Sequence, residues 1–395
     1  MPNYEIRKLQ GEEFIETLYS LASYSFHPSL PLTNKDDWMR WARTLQDSTC
    51  LALFEDGRPL VCIQSTSMTQ NVRGEIYPMA AFWGLSTLPE ARRKGYARKV
   101  FTALMEATRK EGHVFSALYP FRESFYEALG YATFPAPVLA RLTPDSLAPI
   151  LKFDLPGEVK RVTIDEGMEE YRRFLKNRLG SEHGMAYFDK PVTIREKLRD
   201  QWMAQAWING KLAGLMMYQL QGTDEDQGKF LFSVSRLDYE TPEAKYLLLR
   251  WIALHIDQAD RVEILLPPCS RPETWLADTK VKTELYEATM ARVLDLVKIG
   301  GMKTGGGAFS ALIRDPACLW NKGGWRFESI DGHLHVERDE HAHEELSIQG
   351  LTALLMGSHD PRDFTCRGWG ELSPASLAQA VSMFPPANPF LDEMF

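Results

Sequence analysis

The chain has 395 residues, 44% of them hydrophobic and 25% charged, which allows two or three domains of ordinary globular composition. A net charge of −8 argues against a general nucleic-acid binder, so any anion site must come from local clustering. The five cysteines (Cys50, Cys62, Cys269, Cys318, Cys366) are scattered without a CxxC pair, which argues against a disulfide framework or a zinc site and fits a reducing compartment.

YEIRKLQ reads as a strand, and EEFIETLYSLASYSF as an amphipathic helix. CLALFEDGRPLVCIQSTSMTQ predicts two strands around an Asp56-Gly57 turn. YPMAAFWGLST is a further strand and runs into LPEARRKGYA. Ala97, Val100, Phe101, Leu104, Met105 and Thr108 then follow helical spacing, with Gly112 as the stop after Glu111. VFSALYP is the next strand, Arg122 to Leu129 a short helix ended by Gly130, and YATF a strand. Strand, basic turn, helix, strand predicts an α/β domain with a crossover helix.

Prolines cluster in LTPDSLAPILKFDLPGE and predict a boundary near residue 150. QAWINGKLAGLMMYQL predicts a hairpin on Asn209-Gly210. STLPEARRKGYARKVFTAL and YETPEAKYLLLRWIALH share a strand, Pro-Glu-Ala, a basic residue and an apolar-periodic helix, which reads as an internal repeat. The second copy, at Lys245, has lost the glycine and most of the charge. A third segment starts near Met290, with strand-like runs, then LSIQGLTALLMGS and SPASLAQAVSMF as helices. The expected division is 1–150, 151–290 and 291–395.

Arg92-Arg93-Lys94-Gly95 opens the first of these repeated helices. Cations oppose the dipole of a helix N-terminus, where a bland sequence places Asp or Glu. The free N–H groups there bind phosphate or pyrophosphate, and Gly95 allows close approach. The local energetics favour an anionic ligand over a solvated basic helix start.

Arg92-x-x-Gly95-x-Ala97 after Leu85-Ser86-Thr87 resembles the acyl-CoA motif of the Gcn5-related N-acetyltransferases (GNATs). Together with SALYPFRESFYEALGY, the decayed repeat and ACLWNKGGWRF, the whole chain resembles the enhanced-intracellular-survival (Eis) family. That resemblance implies tandem GNAT folds (mixed central sheets with flanking helices) followed by a sterol-carrier-protein-like α/β domain. It implies acetyl-CoA as co-substrate, no metal, and a homohexamer. It places Leu85, Ser86 and Thr87 along the pantetheine and thioester, and Arg93, Lys94, Gly95, Tyr96, Ala97 and Arg98 around the pyrophosphate. Phe121 and Arg122 flank the cofactor groove.

The same resemblance makes Tyr126 the general acid and the Phe395 carboxylate the general base. From spacing alone, Tyr126 reads as a core aromatic beside Phe125. Three prolines (Pro385, Pro386, Pro389) and the apolar Phe390, Leu391, Met394 and Phe395 favour a docked tail over a frayed one. On the substrate side, Phe26 and Trp38 as walls and Asp36, Asp37, Asp392 and Glu393 as acids suit a cationic amine, while ordinary surface and core roles remain open for each. The expected acceptors are primary amines of aminoglycosides, polyamines and lysine side chains. The alternatives are an acyl-CoA sensor without turnover, a lipid carrier built on the third domain, and aminoacyl transfer, which would need a tRNA surface. His333, His335, His341 and His343 alternate but lack partner ligands, so a solvated strand face is expected. No apolar leader core and no bilayer-length apolar run occur, so a cytoplasmic protein without a membrane partner is expected.

Overall fold

A computed structural model describes residues 4–26, 30, 34–44, 48–222, 230–393 and 395. In chain order the elements begin β1 (Tyr4–Lys8), α1 (Gly11–Phe26), α2 (Lys35–Arg43), β2 (Thr49–Glu55), β3 (Arg58–Val72) and β4 (Glu75–Thr87). They continue through α3 (Tyr96–Lys110), β5 (Phe115–Leu118), α4 (Glu123–Glu127), β6 (Ala132–Thr133), β7 (Val138–Leu142), β8 (Glu158–Val162) and α5 (Ile164–Leu179). Next come β9 (Ala186–Tyr187), α6 (Pro191–Leu198), β10 (Trp202–Ile208), β11 (Lys211–Gly222), β12 (Phe230–Tyr239), α7 (Pro242–Ala253), β13 (Ala259–Leu266) and β14 (Val281–Leu285). The last are β15 (Met290–Val293), β16 (Ala308–Arg314), β17 (Gly323–Ile330), β18 (His333–Arg338), β19 (Glu345–Ser347), α8 (Ile348–Met356), β20 (Gly370–Glu371) and α9 (Pro374–Met383).

Two compact units result. The first holds residues 1–134, 179–188 and 289–395, and the second holds 135–178 and 189–288. This differs from the expected cut at 150. β7 pairs with β13 and β14, so its backbone partners lie in the second unit. Conversely, β9 pairs with β3 in the first.

In the first unit one sheet runs β1-β2-β3-β4-β5-β15-β6, and another runs β18-β17-β16-β19-β20. β4 and β5 are parallel and joined through α3, the expected crossover. β6 is shorter than the expected YATF strand. Its partner is β15, an antiparallel strand supplied from more than 150 residues downstream. The two sheets share one core, in which Met79, Phe115 and Val293 pack with Phe309, Trp325, Leu351 and Leu355. The alternating histidines His333 and His335 are exposed on β18, as expected of a solvated face.

The second unit has the sheet β14-β7-β13-β12-β11-β10-β8, again with one parallel pair, β12 and β13, joined through α7. The repeat seen in the sequence is therefore a repeated fold. Both tight hairpins formed as read. Asp56 and Gly57 have φ of 50° and 79°, and Asn209 and Gly210 have 50° and 74°, the left-handed pair that such turns require. Among the described residues, no helix is long and apolar enough to cross a membrane.

Candidate active site

The site is built where β4 and β5 part. Their parallel pairing covers Met79↔Phe115, Ala80↔Ser116 and Ala81↔Ala117 and then stops, while β4 continues to Thr87. Beyond that point β4 is bulged against β3. Cys62 faces Ser86 and Gln64 faces Trp83, so Gly84 and Leu85 stand opposite Ile63 alone. Gly84 takes φ of +68°, which strains any other residue, and a Cβ there would crowd the buried Gln64 amide at 3.2 Å.

The parted strands open a cavity of about 410 Å³. β4 contributes Phe82, Trp83, Gly84 and Leu85, and the end of β5 contributes Leu118 and Tyr119. Ile63 and Phe101 line it from β3 and α3. Phe26, Trp38 and Trp41 close it from α1 and α2, and Phe121, Tyr126 and Phe395 complete the wall. Of the expected site residues, the fold thus brings Phe26, Trp38, Leu85, Phe121, Tyr126 and Phe395 around one space.

Tyr126 lies on α4 and is 4% exposed. Its ring packs on Phe125 at 5.0 Å, Phe121 at 5.4 Å, Phe101 at 5.7 Å and Tyr131 at 6.1 Å. Burial raises its phenol well above the ordinary range, so the hydroxyl stays protonated at any working pH. Phe395 packs edge-on against Tyr119, with ring centroids 5.4 Å apart. The segment before it is docked. Leu391 is buried in the shared core, the Phe390 N–H donates to the His183 carbonyl at 3.3 Å, and the Pro385 carbonyl accepts from Arg73 at 2.8 Å.

The basic turn lies at the start of α3. Gly95 is its N-cap residue at φ +80°, no side chain caps the helix, and the first turn holds no acid. Arg93, Lys94, Gly95 and Arg98 are exposed and Ala97 is half-buried. Tyr96 is placed differently from its neighbours in the turn. It is buried with its hydroxyl donating to Glu55 at 2.8 Å, so its side chain faces the domain and anchors the turn. The matching helix of the second unit, α7, is closed. Thr241 accepts the Ala244 N–H at 3.3 Å, and Glu243 occupies the first turn. Only the first copy keeps a helix end open to an anion.

The remaining expected residues lie off the cavity wall. Ser86 is buried and donates to the Gly84 carbonyl at 3.1 Å, which steadies the bulge. The Thr87 carbonyl accepts from Arg92 at 3.3 Å, tying β4 to the basic turn. Arg122 is exposed at the N-cap position of α4. Asp36 and Asp37 are exposed in the first turn of α2, where they complement the helix dipole, and Asp37 pairs with Arg40, so they do not line the cavity. Glu393 is buried beside the wall, where its carbonyl accepts from the Tyr119 hydroxyl at 3.3 Å. Asp392 is half-buried next to it. Trp41, Trp83 and Tyr119 were not expected in the site. A glycine inside an apolar strand, Gly84, was the available signal for the bulge beside Trp83.

Among the described residues, no group of three or more His, Cys, Asp or Glu is placed to hold a metal ion. Cys50, Cys62 and Cys318 are buried, and burial raises the thiols, that of Cys62 to about 12.

Family models match in three places: an acetyltransferase (GNAT) domain over residues 5–134, a second over 186–293, and a sterol carrier protein domain over 303–392. No curated protein sequence matches the chain. Among solved structures, a conserved protein of unknown function from Enterococcus faecalis is 19% identical, with a TM-score of 0.87 and 100% of both chains covered. A GCN5-related N-acetyltransferase from Anabaena variabilis is 16% identical, with a TM-score of 0.86 over 100% of both chains. Eis1 from Mycobacterium abscessus is 19% identical, with a TM-score of 0.79 over 99% of this chain and 100% of its own. The chain thus carries two acetyltransferase (GNAT) domains followed by a sterol carrier protein domain, and its full-length fold is similar to that of Eis1.

Proposed function

We propose that the chain transfers an acetyl group from acetyl-CoA directly to primary amines of cationic molecules, such as polyamines, aminoglycosides and lysine side chains. The observation that carries this reading is one aromatic cavity with both Tyr126 and Phe395 in its wall, at a strand fork that leads to an open, cationic helix end. The free N–H groups of Tyr96, Ala97 and Arg98, with Arg93 and Lys94, suit a pyrophosphate. Leu85 and the bulge at Gly84 suit the thioester arm. The faces of Trp38, Trp41 and Trp83 suit an ammonium group, and the buried Glu393 adds negative charge nearby.

In the reaction, the neutral amine nitrogen attacks the thioester carbonyl and the C–S bond breaks. Tyr126 donates its proton to the leaving sulfur, and the phenolate then regains one from solvent. The nitrogen loses its proton to the Phe395 carboxylate, directly or through water. The carboxylate is a weak base with a reference pKa of about 3.3–3.7, so it acts as a way station to solvent. The net change is one ammonium and one thioester to one amide, one thiol and one proton. The raised thiols of Cys50, Cys62 and Cys318, none in the cavity wall, support direct transfer over an acyl-cysteine intermediate. Against the lipid-carrier reading, the third domain's interior is filled by Phe309 stacked on Phe327 at 5.0 Å, with Trp325 and Leu351 beside them.

CoA release is measured with acetyl-CoA and spermine, kanamycin or a lysine peptide. We expect amine-dependent release that falls about a hundredfold or more in Tyr126→Phe and vanishes when residues are appended after Phe395. Binding of acetyl-CoA without release to any amine would replace the transferase by the sensor reading. Full activity with the extended tail would remove the carboxylate.

A further inference from the structure

α4 is five residues long and carries Tyr126. A helix this short has almost no stability of its own, so its position is set by what holds its ends. No side chain caps its start. Its other end is gripped by the third domain.

Glu127 directly follows Tyr126. One of its carboxylate oxygens accepts the indole N–H of Trp369 at 2.9 Å, and the other pairs with Arg367 at 3.4 Å. Its backbone carbonyl accepts from the Gln349 amide at 2.7 Å. Two residues on, the Leu129 carbonyl accepts from the Arg292 guanidinium. Arg292 is itself fully buried and paired with the equally buried Asp315 at 2.5 Å. Asp315 is held in turn by the Asn321 amide at 3.0 Å and the Cys318 N–H at 3.0 Å. Gly130, at φ +95°, completes the fit, because a Cβ there would lie 2.7 Å from Arg292 and 2.8 Å from Ile348. These groups all belong to the first compact unit.

We infer that Glu127 is a positioning residue for Tyr126, and that the third domain uses Trp369, Arg367 and Gln349 to fix the acid in the cavity. This rests on the reading of Tyr126 as the acid. Among the described residues the Tyr126 hydroxyl has no hydrogen-bond partner, so its oxygen is placed by ring packing and by the anchor on the helix. A general acid must stand within about 2.6–3.2 Å of the atom it protonates. A shift of about 1 Å can cost up to about a hundredfold in rate. The third domain therefore contributes to proton donation as well as to the core, through contacts that cross from residues 349, 367 and 369 to residue 127.

The test measures kcat, with spermine or kanamycin as acceptor, and acetyl-CoA affinity, in wild type and in Tyr126→Phe. Glu127→Ala is expected to lower kcat by about tenfold or more in the wild type, with acetyl-CoA affinity changed less than about twofold. Glu127→Gln keeps an acceptor for Trp369 and is expected to recover most of the loss. In the Tyr126→Phe background Glu127→Ala is expected to lower kcat by less than about twofold, because the acid it positions is gone. Trp369→Phe, which keeps most of the packing, provides a second variant with the same expected pattern. Equal losses in both backgrounds, or no loss at all, would overturn the inference while leaving Tyr126 in place. Unchanged kcat in Tyr126→Phe alone would remove the acid assignment and the positioning role together.

Discussion

His183→Gln is expected to remove an acid-sensitive tie within the first unit. The His183 Nδ1 accepts the Arg73 backbone N–H at 3.0 Å. The ring proton therefore sits on Nε2, which donates to the Met356 carbonyl at 2.8 Å. A second proton has to enter on Nδ1, against an N–H donor. Burial above all, opposed by the Met356 carbonyl and assisted by the Arg73 guanidinium, lowers the imidazole from 6.5 to about 4. The folded-state value is depressed, so the unfolded chain takes up the proton first. The stabilisation is complete above the unfolded value of 6.5 and is lost as pH falls toward 4. That gap corresponds to no more than about 3 kcal/mol, reduced by the remaining exposure of the half-buried ring. Urea unfolding followed by tryptophan fluorescence, at about pH 7.5 and about pH 4.5, compares wild type with His183→Gln. Subtracting the two proteins removes the other titrating groups. The stability advantage of wild type is expected to shrink by about 2–3 kcal/mol on acidification. An advantage that is the same at both pH values would refute the assignment of the tautomer and its tie to Met356.

The other expectations concern the anion site and the buried ion pair. Replacing Arg93 and Lys94 together by Ala should weaken acetyl-CoA binding by about tenfold or more in calorimetry, with a shallower salt dependence. Unaltered affinity would return the turn to an ordinary basic helix start. Asp315→Asn leaves the fully buried Arg292 guanidinium without its counter-charge, and is expected to cost about 3–5 kcal/mol in urea unfolding. Replacing both partners by Leu should recover much of that loss, and a stable single variant would show that the pair is not needed.

What could be read from the sequence was local. The apolar spacing from Ala97, with the stop at Gly112 after Glu111, located α3 to within one residue at each end, because the apolar face of that helix is continuous. Asp56-Gly57 and Asn209-Gly210 identified their turns, because backbone sterics admit few residues there. The basic turn stood out because its charge opposes the helix dipole, and the structural counterpart of that conflict is that the start of α3 is uncapped whereas that of α7 is capped. What could not be read is set by distant partners. β6 pairs with a strand from beyond the second unit in the chain, and β7 belongs to a sheet whose other strands all lie downstream. Asp36 and Asp37 had the right charge for an amine pocket, but α2 turns them to solvent. Tyr126 was indistinguishable from its aromatic neighbours until the family motif singled it out. Glu127 was less legible still, as one exposed-looking acid on a short helix, and its partners Gln349 and Trp369 stand 222 and 242 residues away. The chemistry of a site lies in residue types, which a motif records. The placement of a site depends on long-range contacts to unremarkable residues, as the grip of Gln349 and Trp369 on Glu127, next to Tyr126, illustrates.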